Sequence, residues 1–398
     1  MKRLAILIVA VAMAPLGGED VLQFRGAGGL GISTEKDLPL TWSKTDNVRW
    51  KADLPGRGLS NPVIVGGRVF VTAASRPQQN RLHVLCFDQK DGKLLWERQF
   101  WATGGTQCHP KTNMAAPTPV SDGKNIYALF ATADLVCLDR DGNLAWARSL
   151  VGDYPTVGNN VGMAASPVLF GDTLVVHMEN VGESFAVGID KATGENRWRL
   201  ERPRVINWNT PFVHNAEGQK QVLLMTPRSL TAHDPATGKE VWSFTAGRFG
   251  TSPSVVAGAG LLFVPGDKLI ALRSGSAGVE PEVVWENAKL NPGFASPVLV
   301  EGRIFTITNR GVVSCAEAAT GKLLWTQRLD GSFAASPLAA AGRLYFVSED
   351  GTTTVMEAGA EAKVLAANEL GETILASPVA SGGAIFLRSD GHLWCVGR

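Results

Sequence analysis

The chain has 398 residues, and a formal net charge of +1 gives it no electrostatic preference for nucleic acid or for an anionic membrane surface. Charged residues make up only 19% of the sequence, whereas 44 residues are glycine and 11 are tryptophan. This composition suits a fold with many turns and many strands, and it gives no reason to expect nucleic acid as a partner.

Residues 1–18 have the features of a secretory signal peptide. Lys2 and Arg3 are followed by an apolar run that ends at Ala14, and this run is too short to span a membrane. We therefore predict an exported protein of the periplasm or cell envelope, with no transmembrane segment in the mature chain. An uncleaved anchor is the alternative interpretation of the same segment.

Residues 19–47 are rich in glycine and show no sustained hydrophobic periodicity. We interpret them as an extended N-terminal arm that lies on the folded body of the protein. The residues that follow, 48–54, read as a single strand with Trp50 at its centre.

A unit of four short strands then repeats along the chain. In residues 295–329, four runs of five to seven residues are separated by turns that contain Gly302, Gly311 and Gly321; glycine suits such turns because they require positive φ angles. One proline recurs in each unit, at spacings of 40 to 57 residues: Pro62, Pro119, Pro167, Pro211, Pro253, Pro297, Pro337 and Pro378. A period of about 40–45 residues with four strands is typical of a β-propeller. The eight prolines predict an all-β fold, an eight-bladed β-propeller of four-stranded antiparallel blades.

The last unit indicates how the ring closes. It supplies only three strands before the chain ends, at 375–380, 384–388 and 392–396. Residues 48–54 resemble the fourth strand of the first unit, 94–100, although no unit precedes them. We predict that this N-terminal strand completes the eighth blade, so that the propeller covers residues 48–398 and leaves no open edge.

A tryptophan recurs on the fourth strand of the units, at Trp96, Trp146, Trp198, Trp242, Trp285 and Trp325. In five of these six units it lies four residues after a turn glycine. We predict that each ring fills the wedge between neighbouring blades. Aspartates recur beside the same turns, and we interpret them as turn formers.

Four of the five cysteines fall at one position of the repeat, near the end of the third strand: Cys86, Cys137, Cys315 and Cys395. Equivalent points in adjacent blades should be about 10 Å apart, whereas a disulfide needs Cα atoms within about 7 Å. We therefore predict free, buried thiols at these four positions. Cys108 is different because it lies in a loop.

Loop length varies on one predicted face of the ring. Loops 101–116, 151–163 and 202–209 join a fourth strand to the next first strand, whereas residues 330–333 make the same connection in four residues. Two connections between second and third strands, 73–81 and 178–183, are also long and share that face. Because a scaffold that displays variable loops on one rim usually binds there, we predict a binding surface over blades one to four.

The loops on this rim carry the candidate ligand-binding or partner-binding residues. These are His109, Lys111, Asn113, Asn159, Asn160, Arg204, Asn207 and Trp208, with Arg202 beside them. Each also has a structural interpretation, because loop asparagines often serve turns, loop arginines are often solvated, and Trp208 is able to fill a wedge. A metal site of His109 and His177 with Cys108 or Glu179 lacks paired ligand spacing. No catalytic motif is present, and we predict no catalytic or metal-binding residue.

Two segments, 188–198 and 232–242, resemble the tryptophan-docking repeat of the quinoprotein dehydrogenases. Residues 86–96 and 315–325 match it as well, and 136–146 matches with one residue deleted. The resemblance covers the ring from about residue 48 to 398 and implies the PQQ-like propeller family. Its motif is specific for this fold but not for PQQ.

Two branches of that family share the repeat. The PQQ-dependent alcohol dehydrogenases stack the quinone on a ring formed by two consecutive cysteines and bind calcium through Glu, Asn and Asp side chains. This sequence has no Cys-Cys pair and is considerably shorter. The BamB-like branch consists of scaffolds for outer-membrane protein assembly that bind no quinone; the chain is similar to them in size but lacks their lipid-attachment cysteine.

We therefore predict a BamB-like, non-enzymatic scaffold that binds protein partners in the cell envelope, as a monomer and without a cofactor. The alternatives are a PQQ-dependent dehydrogenase-like propeller and a propeller that binds a sugar or another small ligand.

Overall fold

The structure, a computed structural model, describes residues 18–158, 160–216 and 218–398. The predicted signal peptide therefore lies almost entirely outside the described residues. No helix in the described part of the chain is long and apolar enough to span a membrane.

Eight four-stranded antiparallel sheets form a ring and confirm the predicted eight-bladed β-propeller. Blades one to four comprise β2–β5 (Val63–Val65, Arg68–Ser75, Arg81–Asp88, Leu94–Trp101), β6–β9 (Val120–Ser121, Asn125–Leu129, Asp134–Asp139, Leu144–Ser149), β10–β13 (Val168–Phe170, Thr173–Met178, Phe185–Asp190, Asn196–Glu201) and β14–β17 (Phe212–Ala216, Gln219–Met225, Leu230–His233, Glu240–Phe244). Helical structure in the described residues is limited to a short α1 (Leu150–Asp153) and two 3₁₀ turns (Ala27–Gly29, Ala288–Leu290).

The remaining four blades repeat the same order of strands from the axis outward. They comprise β18–β21 (Val256–Gly258, Leu261–Val264, Leu269–Arg273, Glu282–Asn287), β22–β25 (Val298–Val300, Arg303–Ile307, Val312–Glu317, Leu323–Arg328), β26–β29 (Leu338–Ala340, Arg343–Val347, Thr352–Glu357, Val364–Glu369) and, in blade eight, β30–β32 (Val379–Ser381, Ala384–Arg388, His392–Gly397). In every blade the register between the third and fourth strands shifts by one residue, a β-bulge that increases twist.

Blade eight closes as predicted. Its outer strand is β1 (Val48–Asp53), which pairs antiparallel with β32 near the C-terminus. In this pairing Trp50 lies opposite Cys395. Because β1 pairs with the outer edge of β32, strands from both ends of the chain share one sheet, and blade eight has four strands like the other blades.

The recurring tryptophans do join neighbouring blades. Each ring lies on the corner between the third and fourth strands of the next blade and donates its indole N–H to a carbonyl there: Trp50 to Gln89 (2.9 Å), Trp96 to Arg140 (2.8 Å), Trp146 to Lys191 (3.0 Å), Trp198 to Pro235 (3.0 Å), Trp285 to Ala318 (2.9 Å) and Trp325 to Gly359 (3.3 Å). Glycine at the corner leaves space for the ring, since a Cβ atom on Gly238 would lie 2.8 Å from Trp198.

Two junctions in the ring depart from this pattern. Blade five has a longer corner, 274–281, and Trp242 donates instead to Gln221 Oε1 of its own blade. A groove of about 900 Å³ separates blades four and five at that junction. Blade seven has Ala366 at the tryptophan position, because the next blade has no corner there: its third and fourth strands come from the two chain ends.

The recurring aspartates form the corners, as predicted. Asp190 Oδ1 accepts the backbone N–H groups of Ala192 and Thr193, and the same arrangement recurs at Asp88 and Asp234. Asp139 Oδ1 accepts those of Asp141 and Asn143 in a corner that is one residue shorter. The pKa of Asp190 is lowered, because Arg197 and these backbone donors stabilise its charged form. All five cysteines are free, and the four on the third strands are buried, which confirms the prediction from the repeat.

The segment before β1 crosses the propeller axis. Val21 pairs with Ile64 of blade one, the 3₁₀ turn Ala27–Gly29 packs on β14 of blade four, and Ile32 pairs with Ala339 of blade seven. Glu35 then accepts the backbone N–H groups of a turn in blade eight. This segment therefore covers one end of the propeller axis, and Phe24 within it borders the axial cavity.

Candidate functional site

A circle of eight hydrogen bonds surrounds the propeller axis. In each blade, the residue two positions before the first strand donates its backbone N–H to the side-chain oxygen of the equivalent residue in the next blade. The donors and acceptors run Asn61 to Thr118 (2.9 Å), Thr118 to Ser166 (2.9 Å), Ser166 to Thr210 (3.1 Å), Thr210 to Ser254 (3.2 Å), Ser254 to Ser296 (2.9 Å), Ser296 to Ser336 (2.9 Å), Ser336 to Ser377 (2.9 Å) and Ser377 to Asn61 (3.2 Å).

This circle corrects the repeat register of blade five. In seven blades the first strand begins directly after the recurring proline, but in blade five it begins at Val256, three residues after Pro253. Ser254 takes the place in the circle, and Val255 takes the place of the proline. Pro253 is therefore not equivalent to the other seven prolines.

A cavity of about 290 Å³ lies on the axis within this circle. Phe24 of the segment that crosses the axis borders it, and its apolar wall includes Leu59, Trp208, Phe294 and Leu375. Its polar wall consists of seven members of the circle together with Ser252 and Thr112. His109 and Lys111 contribute the titratable groups that line it. The site is thus an apolar chamber with a hydroxyl-rich ring.

The long loops meet over the cavity, and we call the side that carries them, with loops 73–81, 101–116, 151–163, 178–183 and 202–209, the loop face. The backbone N–H of His109 donates to the carbonyl of Val161 (3.3 Å), which joins loop 101–116 to loop 151–163. The indole of Trp208 donates to the carbonyl of Gly162 (2.9 Å), which joins loop 151–163 to loop 202–209. The structure therefore brings the three predicted loops together.

Lys111 and Trp208 both line the cavity, but neither side chain is free. Lys111 Nζ lies 2.8 Å from both carboxylate oxygens of Glu349, which belongs to blade seven. This ion pair links a loop between blades one and two to the other side of the ring. Trp208 is half-buried, and the bond to Gly162 fixes the orientation of its ring.

Two predicted asparagines are buried. Asn113 is fully buried and accepts the backbone N–H of Ala115 within its own loop. Asn207 donates to Glu179 Oε2 (2.8 Å) and to the carbonyl of Met225 (2.6 Å). Both therefore hold loops in place and are not presented to a partner.

Asn207 belongs to a buried polar cluster between blades three and four. Glu179 Oε1 lies 2.9 Å from His177 Nε2 and accepts from Arg202 Nε (2.8 Å). Burial opposes ionisation of Glu179, but His177, Arg202 and Asn207 stabilise the carboxylate, so that its pKa lies below the ordinary value. Within the described residues, no group of three or more His, Cys, Asp or Glu side chains is arranged to hold a metal ion.

The remaining candidates lie on the surface of the loop face. His109, Asn160 and Arg204 are exposed, whereas Asn159 lies outside the described residues. The structure thus divides the seven described candidates into a cavity group of His109, Lys111 and Trp208, an exposed pair of Asn160 and Arg204, and the two buried asparagines.

Several residues of the site were missed in the sequence. The circle had a signal that was available: in seven of the eight blades it is an Asn, Ser or Thr that directly precedes the recurring proline. Phe24 and Phe294 had none, because they border the axis only through the path of the N-terminal segment and the fold of blade six.

An exposed aromatic side chain on the loop face was also missed. Trp101 is 53% exposed, and the guanidinium groups of Arg76 and Arg81 lie 4.7 Å and 4.6 Å from its ring. Arg81 also donates to Gln99, and no described acidic side chain forms an ion pair with either arginine. Arg and Trp are the residues most enriched where protein partners bind tightly.

The sequence matches the profile of a known protein family. This family is described as outer membrane protein assembly factor BamB, and the matches cover residues 18–180, 80–279 and 277–364. These overlapping matches span most of the chain. A comparison with curated protein sequences found no match.

Solved structures share the propeller at low sequence identity. BamB from Moraxella catarrhalis is 14% identical with a TM-score of 0.65, covering 88% of this chain and 99% of its own. A europium-containing methanol dehydrogenase is 13% identical with a TM-score of 0.71, covering 95% and 90%. A quinohemoprotein alcohol dehydrogenase from Comamonas testosteroni is 13% identical with a TM-score of 0.70, covering 95% and 81%. At this identity the likeness concerns the fold alone.

Proposed function

This chain belongs to the family of outer membrane protein assembly factor BamB, and we propose that it is a non-enzymatic scaffold that binds a protein partner in the cell envelope through its loop face. The observation that carries the proposal is the exposed Trp101 between two arginines without acidic partners. A ring needs no such group for its own packing, because the tryptophans that join the blades are directed at neighbouring corners.

The loop face supports partner binding because its loops are held in place before binding. Hydrogen bonds between the loops, and the buried cluster around Glu179, fix their backbone. A pre-organised surface loses less conformational freedom on association. Trp101 then offers a rigid apolar anchor, and Arg76 and Arg81 offer charged donors beside it.

The test is cross-linking at one position of the loop face. A photo-reactive amino acid in place of Trp101, in cells that normally make this protein, should give one dominant adduct with an envelope protein. The matched control is the same amino acid in place of Leu144, which is also 53% exposed but begins the outer strand of blade two. Arg76→Ala should weaken the adduct at position 101. Equal adducts at both positions, or none at 101, would count against the proposal.

A second candidate function, a propeller that binds a small ligand, is favoured by the axial cavity, whereas a dehydrogenase-like function makes a further demand on the residues that line it. The dehydrogenases hold their quinone beside a calcium ion, and that ion requires carboxylate or carbonyl oxygens as ligands. The described residues that line the cavity include no Asp or Glu, and the sequence has no Cys-Cys pair. These side chains do not fit a quinone held with calcium, so the cavity does not favour dehydrogenation.

A further inference from the structure

We propose that the axial cavity binds a small neutral ring molecule that accepts hydrogen bonds and has one apolar face, which is the chemistry of a monosaccharide. This site is separate from the Trp101 surface, and the inference does not depend on the scaffold function. It rests on the hydrogen-bonding state of the cavity wall, on its aromatic residues, and on its charge.

The circle around the cavity has unused hydrogen-bond donors. Seven of the eight circle members have a hydroxyl group, and that oxygen accepts a backbone N–H from the neighbouring blade. Among the described residues, none of these hydroxyl groups donates to a protein acceptor in turn. The circle therefore leaves hydroxyl protons available around the cavity, and a ligand that offers acceptor atoms would use them.

Two further members of the wall have buried polar atoms without a partner. Asn61 is 2% exposed and accepts from Ser377, but its Nδ2 has no described partner. Thr112 is 8% exposed, and its hydroxyl has no described partner. Buried polar atoms are usually hydrogen-bonded in folded proteins, and a polar ligand that reaches these two atoms would supply the bond that they lack.

The cavity also has aromatic residues in its wall. Phe24, Trp208 and Phe294 contribute to the apolar part of the wall. The hydrogen bond from Trp208 to Gly162 fixes its ring before any ligand binds. The apolar C–H face of a sugar ring packs against such aromatic surfaces, while its oxygens reach the hydroxyl ring. A ligand without an apolar face would leave this wall unpaired.

The charge and the size of the cavity limit the class of ligand that fits it. No described Asp or Glu lines the cavity, and the positive charge of Lys111 is neutralised by Glu349. A neutral ligand therefore encounters no unbalanced charge. The volume of about 290 Å³ is at the lower end of the range of about 300–1,000 Å³ for small-molecule pockets. It suits one ring rather than a dinucleotide or a folded peptide.

The test uses D-glucose and N-acetyl-D-glucosamine as probes, with D-glucuronate, which keeps the ring, as a charged comparator, and measures binding to the intact protein by calorimetry and saturation-transfer NMR. Saturable binding of a neutral probe, with weaker binding of glucuronate, is the expected result. Phe294→Ala removes an apolar group of the wall, and Ser252→Ala removes a hydroxyl that has no described partner. Each should weaken binding by about fivefold to tenfold.

Matched controls come from the groove between blades four and five. Val279→Ala and Ser276→Ala change an exposed apolar residue and an exposed hydroxyl there, and they should leave binding unchanged. Absence of saturable binding by both neutral probes, or equal weakening by wall and control variants, would overturn the proposal and leave a cavity that holds water only. Tighter binding of glucuronate would overturn the neutral class. Cross-linking at position 101 is independent of all these outcomes.

Discussion

At the scale of single residues, the joints between blades depend on glycine for two separate reasons. Gly238 has a φ of +73° and lies under the ring of Trp198, whereas Gly260 has a φ of +75° and has open space where a Cβ atom would be. Gly260→Ala should therefore lower the free energy of unfolding only by the cost of a left-handed alanine, about 1–2 kcal/mol. Gly238→Ala should lower it by about 1–3 kcal/mol more, because the added methyl group displaces the indole of Trp198.

Denaturant unfolding of the two variants measures this difference directly. Equal losses would mean that the tryptophan moves aside without cost, and that packing on the corner contributes little to the joint.

The thiols allow a second prediction at this scale. Burial raises the pKa of Cys86, Cys137, Cys315 and Cys395 to about 12, and it also raises the pKa of the partly exposed Cys108. Because a raised pKa means less thiolate at a given pH, the folded protein at pH 8 should react with a thiol reagent slowly and only at Cys108. In denaturant without a reductant, five thiols should react.

Cys108→Ser is the control for this assay, since it should abolish the reaction of the folded protein and leave four thiols after unfolding. A count of three or fewer in the denatured wild-type protein would reveal a disulfide.

At the scale of elements, the corner of blade five is the exception among the joints. Trp242 has no docking glycine on the next blade and bonds to Gln221 of its own blade instead. Replacing residues 274–281 with the short turn of blade three, Lys191 to Gly194, should give Trp242 a corner to pack on. We expect the denaturant midpoint to rise and the groove to close. A lower midpoint would show that the long corner itself stabilises blade five.

The sequence predicted the strand elements well because each blade is encoded locally. Turn residues, one proline and one tryptophan recur within about 40 residues, so the blade count, the closing strand and the buried cysteines follow from a single repeat. The predicted register of blade five was wrong because Pro253 resembles the recurring proline of the other blades. In the structure it is Ser254 that makes the hydrogen bonds of the circle.

The candidate site was less predictable because its side chains depend on contacts between distant loops. Asn207 is buried because Glu179, from a loop of the preceding blade, accepts its hydrogen bond. Lys111 is paired because Glu349 lies across the ring. Neither contact leaves a pattern near the residue itself. Trp101 was overlooked because it ends a strand whose recurring tryptophan, Trp96, already had a structural explanation.

At the scale of the whole molecule, stability should depend on closure more than on the segment that crosses the axis. Deleting residues 48–54 removes β1 and exposes the edge of β32, whereas deleting residues 19–40 removes one end of the cavity but leaves the ring closed. We expect the first deletion to lower the melting temperature far more and to promote association through the open edge. Light scattering and thermal melting measure both effects, and similar melting temperatures would contradict the closure argument.

The pairing of β1 with β32 also sets the order of events during synthesis. Val48 leaves the ribosome early, but its partner Val396 follows 348 residues later. At about 5–20 residues per second, roughly 17 to 70 s pass before the two strands meet. β1 is therefore the first strand to be synthesised and the last to pair. Until it pairs, the nascent chain has an unpaired strand edge at each end. A cell that makes this protein must keep that unfinished ring from associating with others, so chaperone demand should be greatest just before the last residues are added.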